Sequence, residues 1–252
     1  MLALVTGASS GIGFEIAKVL SNKGYDIIAV GKNEERLNKL NECCNTRVIV
    51  EIVDLNDKEA CINLATKYMN NTDILVNSAG VGTIGKFENI LLKDELDMIN
   101  INIIALHILT KMFIKSMVEK NYGYVLNISS SAAYAPGPLM SSYYATKSYV
   151  YKLSTSINKE LRKSKSNVYV GVVCPGPVDT NFNKKLDIKF SVKPTSAKEV
   201  AKYSIDKMFN KKQVIVPGIK NKLGVLASKL LPNKILEEYI YNMQREKIRR
   251  NV

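Results

Sequence analysis

Three side chains in the second half of the chain could handle a proton together. Tyr143 and Lys147, in the run Tyr143-Tyr144-Ala145-Thr146-Lys147, stand four residues apart. On a helix that spacing puts them on one face; Tyr144 pairs with Ser148 by the same rule and points elsewhere. A phenol with a pKa near ~10 is a poor proton donor-acceptor at neutral pH. A nearby ammonium favours the phenolate and is expected to lower that value, which would make the tyrosine a general acid/base. Upstream, the apolar run Tyr124–Ile128 ends in Ser129-Ser130-Ser131, and a serine at a strand's carboxyl end can bond a substrate oxygen.

A second chemistry lies near the N-terminus, in Val5-Thr6-Gly7-Ala8-Ser9-Ser10-Gly11-Ile12-Gly13. The glycines fall between an expected strand and an expected helix, the context that dinucleotide binding requires. Gly7 permits a tight turn, Gly11 lets a pyrophosphate approach the backbone, and Gly13 lets helix and strand pack closely. The free N–H groups of the helix N-terminus favour the anion. At the end of the second strand, Ala29-Val30-Gly31-Lys32-Asn33 carries no carboxylate to bond a ribose diol. Lys32, helped by Ser9 or Arg36, can instead pair with a 2′-phosphate, so NADP(H) is expected in preference to NAD(H).

Other chemistries are excluded. His107 is the sole histidine; it sits in an apolar helical face, and no G-x-S-x-G elbow accompanies it. The four cysteines, Cys43, Cys44, Cys61 and Cys174, form no C-x-x-C pair, so no metal site is expected. They form no disulfide framework either, which fits a reducing, cytoplasmic compartment. No run approaches the ~18 uninterrupted apolar residues of a membrane span. A β-like run begins at Leu2 where a cleavable leader would have stood.

Short β-branched runs alternate with longer amphipathic stretches. Strands are expected at Leu2–Val5, Asp26–Val30, Arg47–Val53, Asp73–Val76, Tyr124–Ile128, Val168–Val173 and Val214–Val216. Helices are expected at Gly11–Lys23, Glu34–Cys43, Asp57–Met69, Asp94–Glu119, Ser142–Arg162 and Ala197–Phe209. The order implies parallel strands with right-handed crossovers, and strands apolar throughout imply a sheet covered on both faces. The expectation is a single α/β domain over residues 1–252, a doubly wound Rossmann-like sheet of about seven strands. Hydrophobic residues at 46% and charged residues at 23% of 252 are ordinary for a globular protein.

Taken together these motifs resemble the short-chain dehydrogenase/reductase family, from Met1 to about Pro217. Thr6–Gly13 is similar to its T-G-x-x-x-G-x-G, and Tyr143 and Lys147 to its Y-x-x-x-K. Asp54-Leu55 matches the Asp that contacts adenine. Asn77-Ser78-Ala79-Gly80 matches N-N-A-G with one substitution, and Pro175-Gly176-Pro177-Val178-Asp179-Thr180 matches the P-G motif with its later Thr.

The resemblance implies hydride transfer between a nicotinamide and a carbonyl or secondary alcohol. It implies Tyr143 as acid/base, Lys147 as its partner and a ribose contact, Ser130 (with Ser129 and Ser131 in reserve) on the substrate oxygen, and Asn102 rather than Asn100 behind a proton-relay water. It further implies cofactor contacts at Gly7, Ser9, Ser10, Gly11, Ile12, Gly13, Lys32, Asp54, Leu55, Asn77, Ala79, Gly80, Pro175, Gly176, Val178 and Thr180. A homodimer or homotetramer is implied through the long helices.

Phe182, Leu186, Ile188, Phe190 and Val192 would form an apolar lid, and Ser131–Met140 would border the substrate. That border is similar to the hydroxysteroid dehydrogenase and long-chain 3-oxoacyl reductase branch, with a generic ketone or aldehyde reductase as the other possibility. The different class of reading is a non-catalytic NADP(H)-binding regulator or membrane-surface scaffold.

The net charge of +13 rests mostly on Lys. No nucleic-acid motif accompanies it, and nucleic acid is not an expected partner. Phe209–Val252 holds ten Lys/Arg against three Asp/Glu, a local +7. Residues 218–252 read as a basic helical extension of the same domain. Within it Lys220–Leu231 has Leu223, Leu226, Ala227 and Leu230 on one side. Such a helix is expected to cover the pocket or an interface; the alternative is weak contact with an anionic membrane.

Overall fold

The computed structural model describes residues 1–180, 182 and 194–249. Leu186, Ile188, Phe190 and Val192 of the expected lid lie outside the described residues. Seven parallel strands form one sheet: β1 (Leu2–Thr6), β2 (Asp26–Gly31), β3 (Val48–Ile52), β4 (Ile74–Asn77), β5 (Tyr124–Ile128), β6 (Tyr169–Val173) and, after a two-strand ribbon, β9 (Val214–Ile215). Their spatial order is β3-β2-β1-β4-β5-β6-β9. The ribbon pairs β7 (Val178–Asp179) with β8 (Thr195–Ser196).

The order reverses between β1 and β4, paired from Ala3 with Ile74 to Thr6 with Asn77. In open α/β sheets the crevice beyond the carboxyl ends at such a point is where ligands bind.

Helices cover both faces, as the apolar strands require. On one face α1 (Gly11–Ser21) and α7 (Ala197–Phe209) bury Ile16, Leu20, Ala201 and Ile205 against Ala3, Val5 and Ile27. On the other, α3 (Lys58–Tyr68) and α5 (Leu106–Glu119) bury Leu64, Leu109, Phe113 and Met117 against Leu4, Ile28 and Leu75. α2 (Glu34–Cys43) and α6 (Ser141–Lys163) complete the layers, followed by α8 (Ile219–Leu230) and α9 (Asn233–Arg249).

One expected element differs. The stretch read as a single helix from Asp94 is α4 (Leu92–Ile99), a widened π-helical turn at Asn100–Ala105, and then α5. Apolar periodicity does not register one extra residue per turn, whereas π-turns cluster at functional sites. The composite helix Leu92–Glu119 is long and apolar enough to cross a membrane, but Leu109, Phe113 and Met117 are buried against the sheet.

Candidate active site

The glycine-rich turn is shaped by exclusion. Gly7 has φ +66°, and a Cβ there would stand 2.8 Å from the backbone of Ala79. A Cβ on Gly13 would stand 2.5 Å from the carbonyl oxygen of Gly7, so any side chain there pushes helix and strand apart. Thr6 locks the turn to the neighbouring strand: its hydroxyl accepts from Ser78 N and Ala79 N, each at 3.1 Å. The sequence reading missed that role, although Thr6 stood inside the motif.

The helix N-termini are treated differently. α2 is capped by Asn33, which accepts from Arg36 N, and α3 by Asp57, which accepts from Glu59 N and Ala60 N. At α1, Ser10 makes no side-chain cap and the first turn holds no acidic residue. Its N–H groups are therefore available to an anion. A cleft of about 480 Å³ opens there, lined by Ser9, Ser10, Gly11, Arg36, Lys39 and Thr180 among others. Arg36 and Lys39 share the cleft with the carboxylates of Glu15 and Asp179, so it is the glycines that leave room for a backbone-hugging ligand and the uncapped helix end that fit a dinucleotide phosphate.

Several expected cofactor residues stand differently. Lys32 pairs with Asp54 at 2.7 Å, both half-exposed. Burial tends to raise the Asp54 carboxyl, but hydrogen bonds from Lys32 and from the Asn56 backbone, with the Lys32 charge, hold it below its ordinary value. Lys32 is thus engaged before any ligand arrives, and Arg36 and Lys39 line the cleft in its stead. Leu55 is buried among Val30, Cys61 and Leu64.

Asn77, expected to face the cofactor, is a framework residue. Its amide donates to Thr110 Oγ1 at 3.0 Å and Asn127 Oδ1 at 2.9 Å inside the core. Ile12 packs its side chain toward the sheet. Pro175 O accepts from Ser131 N, and Gly176 abuts Asn221, whose side chain also bonds Cys174 O at 3.0 Å. Val178 is buried beside Thr180.

The proton-handling side chains gather around the loop after β4 that also borders Gly7: a Cβ on Gly82 would stand 3.1 Å from Tyr143. The Ser130 hydroxyl is near enough to Tyr143 to favour its phenolate, and Ser130 Oγ accepts from Ala132 N at 3.1 Å. Ser129 is spent elsewhere, donating to Lys147 O at 2.7 Å. Lys147 is buried; its ammonium donates to Ile128 O at 3.2 Å and lies 5.7 Å from the centre of the Tyr143 ring.

Asn102, on the π-turn, is also buried. It accepts from Val81 N at 3.0 Å and donates to Val81 O at 2.9 Å and Thr146 Oγ1 at 3.1 Å. It therefore ties the loop after β4 to α6. A Cβ on Gly80 would lie 3.3 Å from both Asn102 Oδ1 and Lys147 Nζ. Phe182 closes over the phenol, with ring centres 5.5 Å apart. Glu95, unnoticed in the sequence, bonds Ser142 beside Tyr143.

The electrostatics reverse one expectation. Burial pushes the Tyr143 phenol up to about 12, and the interaction that pulls it back comes from the Ser130 hydroxyl, not from the ammonium. Burial also pushes Lys147 down to about 8. Desolvation outweighs the Tyr–Lys attraction read from their spacing. A second cleft, of about 690 Å³, runs along Ala133–Pro138, Tyr144, Ser148 and Glu237; α9 braces it, with Gln244 donating to the Tyr144 hydroxyl at 3.0 Å.

A family model described as short chain dehydrogenase matches residues 1–189. A 3-oxoacyl-[acyl-carrier-protein] reductase of Rickettsia prowazekii is 35% identical over 187 residues, covering 74% of this chain and 76% of its own. A probable short-chain type dehydrogenase/reductase of Helicobacter pylori is 29% identical over 221 residues, covering 84% and 80%. Among solved structures, a short-chain dehydrogenase from Sphingobium yanoikuyae in complex with NADPH superposes with a TM-score of 0.81 at 26% identity, covering 90% of this chain and 92% of that one.

Proposed function

The chain belongs to the short-chain dehydrogenase family of oxidoreductases, and from that premise we propose that it is an NADP(H)-dependent carbonyl reductase. The observation that carries the reading is the meeting of Ser130, Tyr143 and Lys147 beside a glycine cradle with an uncapped helix end. The absence of a carboxylate after β2, the cations Lys32, Arg36 and Lys39, and the NADPH held by the Sphingobium relative support the phosphorylated cofactor.

When bound, the nicotinamide supplies or takes the hydride. The chain does the rest. Ser130 Oγ holds the substrate oxygen, and Tyr143 Oη gives it a proton as charge develops there. Phe182 keeps water from the phenol. Asn102 and Thr146 position α6 against the loop that carries Gly80. A phenol whose pKa is raised to about 12 keeps its proton at neutral pH, the form that donates when a carbonyl is reduced.

The second cleft, the Phe182 contact and the likeness to a 3-oxoacyl reductase support an apolar substrate: a 3-oxoacyl thioester, a steroid or another ketone or aldehyde. The four cysteines carry free thiols, which supports a cytoplasmic location. Association as a homodimer or homotetramer through α5 and α6 belongs to the same reading, and light scattering measures it.

The test is a panel of ketones, aldehydes, steroids and 3-oxoacyl thioesters, followed by loss of NADPH absorbance. At least one class is expected to be reduced with NADPH preferred over NADH. NADPH binding with no turnover across the panel would overturn the reading in favour of a non-catalytic nucleotide-binding protein.

A further inference from the structure

The two C-terminal helices use their apolar residues in opposite ways. α9 turns Leu236 and Ile240 inward. α8 is anchored by Val225, which is buried, and by Asn221, whose amide donates to Cys174 O and Pro217 O. Its larger apolar residues are on the other side. Ile219, Leu223, Leu226 and Leu230 recur at intervals of four, three and four and are 77%, 61%, 54% and 75% exposed. At 100° per residue they fall within one narrow stripe, turned away from the face that Val225 and Asn221 dock.

Leu231, Ile235 and Tyr239, past the turn, are exposed as well. Glu237 of α9 lines the second cleft, while folding of the single chain leaves the α8 stripe in the open. Contiguous exposed apolar surface marks a binding face.

The charges around the stripe identify what it meets. Lys220 flanks it on one side, Lys222 and Lys229 on the other. Lys222 and Lys229 lean on Tyr203 and Tyr134, at 5.4 Å and 5.2 Å from the ring centres, yet both residues remain exposed. From Lys207 to Leu236 there are seven lysines and no Asp or Glu.

We propose that α8 lies flat on an anionic lipid bilayer, its stripe in the boundary between headgroups and acyl chains and its flanking lysines on lipid phosphates. Lysine stems that follow apolar surface while the ammonium reaches a polar layer suit that depth. A two-fold pairing of this face with a second copy would set the same lysines against each other, and lysine is depleted in protein interfaces.

Sedimentation of the full-length protein with vesicles tests the proposal. Wild type is expected to bind phosphatidylcholine vesicles containing phosphatidylglycerol, and phosphatidylcholine alone much more weakly. Leu223→Gln with Leu226→Gln is expected to weaken binding about tenfold or more, and Lys220→Gln with Lys229→Gln to weaken it and reduce its salt dependence. NADPH fluorescence and circular dichroism should be unchanged in both variants, which shows that the fold survives. Failure of wild type to bind the anionic vesicles would overturn the proposal. So would undiminished binding by the double-leucine variant, which would mean a basic patch attracted to any polyanion. A change of oligomeric state in that variant without lipid binding would assign the stripe to a second copy instead.

Discussion

The cofactor cradle and the proton-handling cluster border the same loop after β4 but are built on different physics. The cradle is defined by what is missing: no Cβ at Gly7 or Gly13, no cap and no acid at the start of α1. Its function depends on shape and on backbone dipoles, and it changes little with pH. The cluster is built around a buried Lys147 with Ser130 and Tyr143 half-buried beside it, and burial moves the phenol up and the ammonium down. Damage to the first should remove binding; damage to the second should remove turnover and leave binding in place.

A clear separation is expected from Ser130→Ala. Turnover should fall about 10²–10³-fold, within the range of a lost positioned proton-transfer partner, with NADPH affinity within about twofold of wild type. Steady-state kinetics beside NADPH fluorescence titration reads both. An equal loss in the two would break the distinction.

Gly13→Ala attacks the other side. Its methyl would have to enter the 2.5 Å gap to Gly7 O, so a shift of backbone is forced. Overpacking of this kind costs about 1–3 kcal/mol, and NADPH binding should weaken at least about tenfold. Thermal unfolding with and without NADPH measures both quantities.

These contrasts also mark what the sequence could convey. Spaced glycines after an apolar run, and Tyr143 four residues before Lys147, are local patterns. The strands, the cradle and the pairing of the two side chains on α6 follow from them. The π-turn that brings Asn102 onto Val81 leaves no trace in apolar periodicity. The Lys32–Asp54 ion pair joins residues beyond the ends of β2 and β3 that only strand pairing brings together. Asn77 looked like a cofactor contact because of the residues around it, yet its amide is used by Thr110 and Asn127. The Tyr143 shift went the other way because spacing reports proximity of charge but not desolvation. On α8 the sequence showed which residues form the apolar face and not that the face points outward.

Effects of opposite sign on stability and function are expected from Lys147→Met. In the unfolded chain the ammonium titrates near its ordinary 10.5; in the fold it titrates near 8. Between those values the unfolded chain holds the extra proton, so this group's contribution to stability rises with pH across that window. Below about 8 the fold hosts a charge at a cost on the order of 1–3 kcal/mol. Lys147→Met removes that cost, and the ligand-free protein at neutral pH should melt about 2–8 °C higher while losing turnover. A lower Tm would show that the ammonium's bond to Ile128 O outweighs its desolvation.

The smallest effect is expected from Lys32→Ala. Its ion pair with Asp54 must be broken or shared when a 2′-phosphate binds, so the net gain from this exposed lysine is modest. NADPH affinity should drop about three- to tenfold more than NADH affinity, and Arg36→Ala should match or exceed it. Equal losses for the two cofactors would remove Lys32 from phosphate recognition.

The division of labour is tested most directly by Tyr143→Phe, which deletes one oxygen and leaves the ring against Phe182. Single-turnover oxidation of preloaded NADPH, with the best substrate of the panel, should slow by about 10³-fold or more, while the NADPH dissociation constant stays within about twofold of wild type. Turnover within tenfold of wild type on that substrate would contradict the assignment of proton transfer to Tyr143.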